Sequence, residues 1–506
     1  MYHSNYLANQ LRCASVDHNN DIFAYLSHGD EVSYGSLFAN AEKTAKALIK
    51  AGVEPGDRVA VQVAKSITTV ELYLGSILAG AVFLPLNTDY TPAEIEYFLT
   101  DASPKVFVCD LASERLMTQV AIKAGVASLL TLDHSGQTGS LIELRALEQA
   151  GFDGVARKES DLAAILYTSG TTGRSKGAML THAALAANAL TLADYWHFTR
   201  ADKLIHALPI FHIHGLFVAL NITLCVGSSL HFFNRFNSDD IIETLPNASV
   251  LMGVPTFYVR LLKHAALNKD RVKNMRLFVS GSAPLLTETH HAWQQQTGHA
   301  ILERYGMTET NMNTSNPYDG DRRPGTVGYA LPGVEIKITH PETGESLANG
   351  DVGQIEVRGP NVFAGYWQMP EKTAEELNPD GWFLTGDLGI RDNDGYISIV
   401  GRSKDLIISG GYNVYPKEVE LVIDEHSDVL ESAVIGVSHP DFGEAVVAVV
   451  VAKAQVQDDV AIKALCKTTL AAYKCPKRVV FIDELPRNTM GKVQKAKLRE
   501  RYRSLY

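Results

Sequence analysis

The fourteen residues Tyr167-Thr-Ser-Gly-Thr-Thr-Gly-Arg-Ser-Lys-Gly-Ala-Met-Leu180 constrain this chain more than any other stretch. The apolar run 162–166 before them reads as a buried strand. Residues 185–192, rich in Ala and Leu, read as a helix after them. Three glycines, three threonines, two serines and a lysine stand in the stretch. With so few bulky side chains, several backbone N–H groups and hydroxyls can face one concavity, which is how a protein holds a chain of phosphates. The spacing is not that of a Walker A loop. Gly170 is followed by glycine after three residues rather than five, and Ser175 rather than glycine precedes Lys176.

A chain of 506 residues exceeds what one core supports and predicts at least two domains. Residues 37–160 alternate helical and strand-like runs, with strands over 58–63, 81–86, 105–108 and 128–132 and helices over 37–51 and 70–79. That alternation predicts a mainly parallel α/β sheet. It resumes over 203–302, where strands over 249–253 and 276–280 end in small residues. Ligands of open α/β sheets sit beyond such carboxyl ends. From 326 to 399, short runs such as 334–338 and 353–357 between Gly and Pro turns predict an antiparallel β portion. After Arg402 come a helix over 414–423, strands over 431–437 and 445–452, a helix over 461–470 and a strand over 479–482. The expected architecture is α/β: residues 1–402 form a large N-terminal domain of α/β subdomains plus a β-rich portion, and 403–506 a small mobile α+β domain.

The net charge of −11 argues against non-specific binding to nucleic acid or a membrane surface. Cys13, Cys109, Cys225, Cys466 and Cys475 form no CxxC pair, so neither a zinc site nor a disulfide framework is indicated. A reducing compartment follows. The first ten residues lack a signal-peptide core, and the most apolar regions, 72–86 and 216–233, are broken by Gly, Ser, Pro or Asn. The expectation is a cytoplasmic protein without a membrane span.

Further motifs follow in order. In Arg304-Tyr-Gly-Met-Thr-Glu-Thr310, Tyr305 offers a face for a purine. Thr308 and Glu309 offer hard oxygens suited to Mg²⁺ on phosphates. Ser280-Gly-Ser-Ala-Pro-Leu285 closes a strand with small residues that admit a flat ligand. Asp387, in Thr385-Gly-Asp387, can accept from both ribose hydroxyls. Arg402, in Gly401-Arg-Ser-Lys-Asp405, has a planar donor fork. Ser409-Gly-Gly-Tyr-Asn-Val-Tyr-Pro416 and Pro486-Arg-Asn-Thr-Met-Gly-Lys-Val-Gln-Lys495 complete the set.

Taken together, these stretches resemble the adenylate-forming enzymes: acyl-CoA synthetases, adenylation domains and luciferases. The resemblance covers nearly the whole chain. It implies ATP, Mg²⁺ and coenzyme A as reactants or cofactors. Thr168, Ser169, Gly170, Thr171, Thr172, Gly173 and Lys176 would hold phosphates. Ser282, Ala283, Pro284, Tyr305, Gly306, Met307, Thr308, Asp387 and Arg402 would hold the rest of the nucleotide, with Thr168 and Glu309 at the metal. Lys492 takes the place of the lysine that enters the acid site during adenylation, Lys404 that of the hinge, and Gly410 and Gly411 line the coenzyme A tunnel. The need for a charged Lys492 makes a lysine acyltransferase a candidate regulatory partner.

These motifs do not choose the acid. The pocket implied by the resemblance draws on Leu208-Pro-Ile-Phe-His-Ile-His-Gly215 and the stretch ending at Glu303-Arg304, a region holding His206, His212, His214, Arg235 and Arg304. So many cations fit a second carboxylate better than an alkyl chain, because an unpaired buried charge is costly. Arg235 is favoured slightly over Arg304. The runs 208–215, 303–321 and 486–495 are similar to malonyl-CoA synthetases. That likeness implies malonate, with methylmalonate second; another short-chain or aromatic acid is the alternative.

Overall fold

A computed structural model describes residues 1–27, 29–168, 175–409, 412–453, 458–488 and 491–506. Two large sheets take up the first two-thirds of the chain. The six-stranded sheet runs, in spatial order, Ser128–Leu132, Val106–Asp110, Arg58–Gln62, Val82–Pro85, Leu162–Thr168 and Lys176–Thr181. All neighbours are parallel except the last pair, which is antiparallel. Strands such as Val82–Pro85 are buried throughout, as continuous apolar runs in parallel sheets are. Local signals set the helices between them. Ser33 caps Tyr34–Lys50, and Thr91 and Glu94 form a reciprocal capping box on Pro92–Ala102.

The nine-stranded sheet pairs distant segments. Ile22–Leu26 lies parallel to Ser229–Phe232, followed by Lys203–His206, Val250–Gly253, Leu277–Ser280 and Leu302–Met307. Asn311–Ser315 extends it antiparallel. This strand is wholly buried although four of its five residues are polar, and its composition carries no strand signal. The four-stranded sheet Glu335–Thr339, Gly353–Arg358, Phe383–Arg391 and Ile397–Arg402 is antiparallel throughout, as the Gly/Pro punctuation predicted.

After the short turn Ser403–Asp405 the chain builds a five-stranded sheet with its own two cores. One lies between that sheet and the helices Pro416–Asp424 and Asp459–Thr469. The other gathers Ala433, Ile435, Val447, Val449 and Leu498. The hairpin Val429–His439 with Gly443–Ala452 is its centre, and Arg478–Phe481 adds a parallel strand. All five cysteines are free thiols. No helix among the described residues is long and apolar enough to cross a membrane.

Candidate active site

Thr168 ends its strand opposite Lys176 across the hairpin. Ser169, Gly170, Thr171, Thr172 and Gly173, assigned to phosphates, lie outside the described residues. Lys176 is turned toward Glu376, with Nζ 3.1 and 3.0 Å from its two oxygens and 4.0 Å above the Tyr366 ring. The Tyr366 hydroxyl sits 2.5 Å from Glu376 Oε2 and 3.1 Å from Glu309 Oε1. Lys176 is thus committed to a carboxylate in this structure rather than free for a phosphate. No sequence pattern singled out Tyr366 or Glu376. Burial raises the Glu309 pKa, and Lys176, Tyr366 and Arg402 oppose the rise.

The ribose-side pair is built by strand register. Asp387 and Arg402 face each other across adjacent antiparallel strands, and Arg402 Nε reaches Asp387 Oδ1 at 2.7 Å. Tyr305 donates to Asp387 Oδ2 at 2.5 Å, and Arg402 Nη1 donates to the Thr385 carbonyl at 3.1 Å. Gly306, Met307 and Thr308 continue from Tyr305, half-buried. Ser282 takes a left-handed φ of 70° at the end of Leu277–Ser280; Ala283 beside it is half-buried and Pro284 exposed. Such strain in a non-glycine residue gathers at functional sites.

Next to this turn lies a buried cationic pocket. Arg304 is 4% exposed, and its Nε and Nη2 have no hydrogen-bond partner. Its guanidinium occupies the space above Gly281, where a Cβ would stand 2.3 Å from Arg304 Cζ. His214 Nδ1 meets Ser282 Oγ at 3.2 Å, while His214 Nε2, His212 Nε2 and Ser280 Oγ are unpartnered. Burial lowers His212 to about 4 and Arg304 to about 9, and it lowers His214 well below the ordinary imidazole value, with Arg304 adding to the effect. His214 opens a π-helical turn, His214–Leu220, a rarity that often marks functional positions.

Two residues expected on the acid side are engaged elsewhere or exposed in this structure. His206 is buried but fully partnered, Nδ1 with Lys65 Nζ at 2.7 Å and Nε2 with the Gly215 carbonyl at 2.8 Å. It has no nitrogen left for a substrate. Arg235 is exposed on the loop beyond Ser229–Phe232, where its charge stays in water. Arg304, ranked below it from the sequence, is the arginine that the fold buries beside His214.

Lys492 comes from the last part of the chain. Asn488 Oδ1 accepts from the Lys492 N–H at 2.9 Å, and the Asn488 N–H donates to the Lys492 carbonyl at 2.9 Å. Gly491 packs on Thr256 of the larger part, 3.4 Å from where its Cβ would be. Lys492 keeps much of its surface open, yet partial desolvation and Arg402 lower its pKa, opposed by Asp387, Asp405 and Glu309. It therefore faces the groups assigned to the nucleotide. Lys404 is exposed in the turn Ser403–Asp405. Gly410 and Gly411 lie outside the described residues.

Among the described residues no group of three or more His, Cys, Asp and Glu is arranged to hold a metal. Glu309, 5% exposed, and the Thr168 hydroxyl supply hard oxygens only. Such a donor set fits Mg²⁺ held mainly by phosphates and water.

The profile of the AMP-binding enzyme family matches residues 13–367, and that of the AMP-binding enzyme C-terminal domain matches 418–492. A malonate–CoA ligase of Arabidopsis thaliana is 35% identical over 95% of this chain and 86% of its own length. A sulfoacetate–CoA ligase of Cupriavidus necator is 34% identical over 93% and 92%. The crystal structure of ATP-bound MatB from Rhodopseudomonas palustris, 54% identical, superposes over 99% of this chain and 100% of its own with a TM-score of 0.97; the apo form of MatB gives 0.86 over the same shares. The present structure therefore superposes better on the ATP-bound form than on the apo form. On sequence, fold and the matched length, this chain belongs to the AMP-binding enzyme family.

Proposed function

We propose that the protein ligates malonate, and secondarily methylmalonate, to coenzyme A through malonyl-AMP, releasing AMP and diphosphate. One observation supports this choice of acid: Arg304 is buried with two donor nitrogens unpartnered, beside His214, His212 and Ser282. A buried cation without a counter-ion is costly, and a second carboxylate on the substrate supplies the partner. Arginine's fork is shaped for that bidentate hold. The sulfoacetate ligase among the relatives also acts on an acid with a second anionic group.

In the first step a malonate oxygen attacks the α-phosphorus, and the bond to the bridging oxygen of the diphosphate breaks. Arg304 keeps the distal carboxylate away from the phosphates. Lys492 places a compact positive charge where the reacting carboxylate meets the α-phosphate. Asp387 and Arg402 hold the ribose. Glu309 and the Thr168 hydroxyl would hold Mg²⁺, which would supply charge neutralisation on the phosphates. Most of the rate comes from positioning and electrostatics, since phosphoryl chemistry leaves little else for the protein to do.

In the second step the coenzyme A sulfur attacks the acyl carbon, and AMP leaves with the electron pair on its phosphate oxygen. Residues 403–506 turn about Lys404 between the steps, withdrawing Lys492 and bringing Gly410 and Gly411 to the thiol tunnel, while residues 1–402 keep ATP and acid. Acylation of Lys492 by a lysine acyltransferase would remove the charge that the first step needs. The free thiols fit a cytoplasmic setting.

The test is a panel of malonate, methylmalonate, sulfoacetate, butyrate and benzoate, scored by AMP release and thioester formation. Malonate should give the highest kcat/KM. A higher value for butyrate or benzoate overturns the assignment of the acid.

A further inference from the structure

One buried cation next to this pocket has no role in the steps above. Lys65 follows the strand Arg58–Gln62 of the six-stranded sheet and is 8% exposed. Its side chain crosses to the nine-stranded sheet. Nζ lies 2.7 Å from His206 Nδ1, 2.9 Å from the His206 carbonyl oxygen and 4.5 Å above the Phe232 ring. His206 and Phe232 are register partners at the carboxyl ends of two parallel strands. Among the described residues no carboxylate pairs with it: burial lowers the Lys65 pKa, while two lone-pair acceptors and an aromatic face favour its charged form.

The contacts continue from His206 toward the substrate. His206 Nε2 lies 2.8 Å from the Gly215 carbonyl. A carbonyl only accepts, so Nε2 holds the ring proton, Nδ1 is bare, and Lys65 is the donor to it. Gly215 is the second residue of the π-helical turn, folded so tightly that a Cβ there would stand 2.1 Å from the Pro209 carbonyl oxygen. The preceding residue, His214, meets Ser282 Oγ at 3.2 Å and lies within the field of Arg304.

We propose that Lys65 is a positioning residue for the acid: through His206 it fixes the Gly215 carbonyl, and so sets His214 against Ser282 and Arg304 for a substrate with a second anionic group. It touches no reacting atom. The inference rests on the assignment of Arg304 to the distal carboxylate. It also explains why His206 is buried beside the pocket without serving it: the ring passes a hydrogen-bonded constraint from one sheet to the other, and only imidazole presents an acceptor and a donor on opposite edges at this spacing.

Three variants test this: Lys65→Met, which keeps the aliphatic length and removes the donors; His206→Asn, which keeps a polar atom near the Nδ1 position and loses the reach to Gly215; and Arg304→Leu. The readouts are KM and kcat for malonate, KM for ATP, and kcat/KM for butyrate. In Lys65→Met and His206→Asn the malonate KM should rise by about ten-fold, with kcat, the ATP KM and the butyrate kcat/KM unchanged. A general packing defect would instead depress every substrate together. If Arg304→Leu lowers the malonate-to-butyrate ratio but neither other variant does, the positioning role is overturned and the Arg304 assignment stands. A drop in Lys65→Met without one in Arg304→Leu removes the Arg304 assignment, and with it the route from Lys65 through His214 to Arg304. No drop in any variant overturns both. If Lys65→Met does not fold, His206→Asn decides the matter by the same measurements.

Discussion

Arg402 Nε lies 2.7 Å from Asp387 Oδ1, and the two residues are register partners on adjacent strands of the four-stranded sheet. The sheet thus aims a carboxylate and the fork that orients it from a rigid base. The second carboxylate oxygen accepts from Tyr305 at 2.5 Å, so Asp387 is held on both sides. An amide at 387 would present an N–H to one of these donors. Asp387→Asn should raise the KM for ATP by about ten-fold or more, measured by diphosphate exchange at saturating malonate. An unchanged ATP KM would remove Asp387 from the nucleotide site.

Lys492 lies within the electrostatic influence of Arg402, Asp387 and Glu309, and its N–H is held by Asn488 Oδ1. It serves only the first step in the proposed scheme. Lys492→Ala should lower malonyl-AMP formation by about a hundred-fold or more and largely spare thioester formation from supplied malonyl-AMP. Equal loss in both half-reactions refutes that division of labour.

Lys404 sits exposed in the turn that joins the four-stranded sheet to the last part of the chain. A proline there fixes φ near −65°. Lys404→Pro should leave diphosphate exchange intact and block thioester formation. If both half-reactions survive, the chain pivots elsewhere.

The burial of Arg304 and the exposure of Arg235 give a paired expectation. Arg304→Leu should cost malonate about thirty-fold in kcat/KM, the lower end of what a desolvated, unpartnered carboxylate loses. Arg235→Leu should cost little for any acid. A large, malonate-selective loss in Arg235→Leu would falsify this ordering.

Glu303, next to Arg304 in the chain, is buried, and burial raises its pKa to about 8, opposed by the Gly325 N–H and by Lys417. The raised value means that the folded protein holds this proton after the unfolded chain has released it. Stability from the neutral carboxyl is therefore present below the ordinary glutamate range and lost as pH rises toward 8. Glu303→Gln cannot ionise. Its Tm should fall less than that of the wild type between pH 5 and pH 8, by on the order of a few degrees. Parallel Tm curves would show that Glu303 does not titrate in this window.

The sequence alone determined which segments become strands and helices wherever the pattern is local. The apolar run 162–166, the helix opened by Pro416 and the Gly/Pro-punctuated strands of 326–399 form as their periodicity requires. It also singled out Asp387, Arg402, Glu309 and Lys492 as candidates by their order along the chain. What the tertiary structure decided is which polar side chains lose their water. Asn311–Ser315 is a buried strand because its neighbours in the sheet cover it, not because of its composition. Arg235 and Arg304 are alike as letters. Arg304 is buried because it lies on a central strand beside Gly281, which leaves room for a guanidinium, whereas Arg235 follows the end of its strand and stays in water. Lys65 and His206 meet because two sheets from distant parts of the chain pack together. Desolvation and pairing depend on neighbours far away in sequence, and no local pattern encodes them.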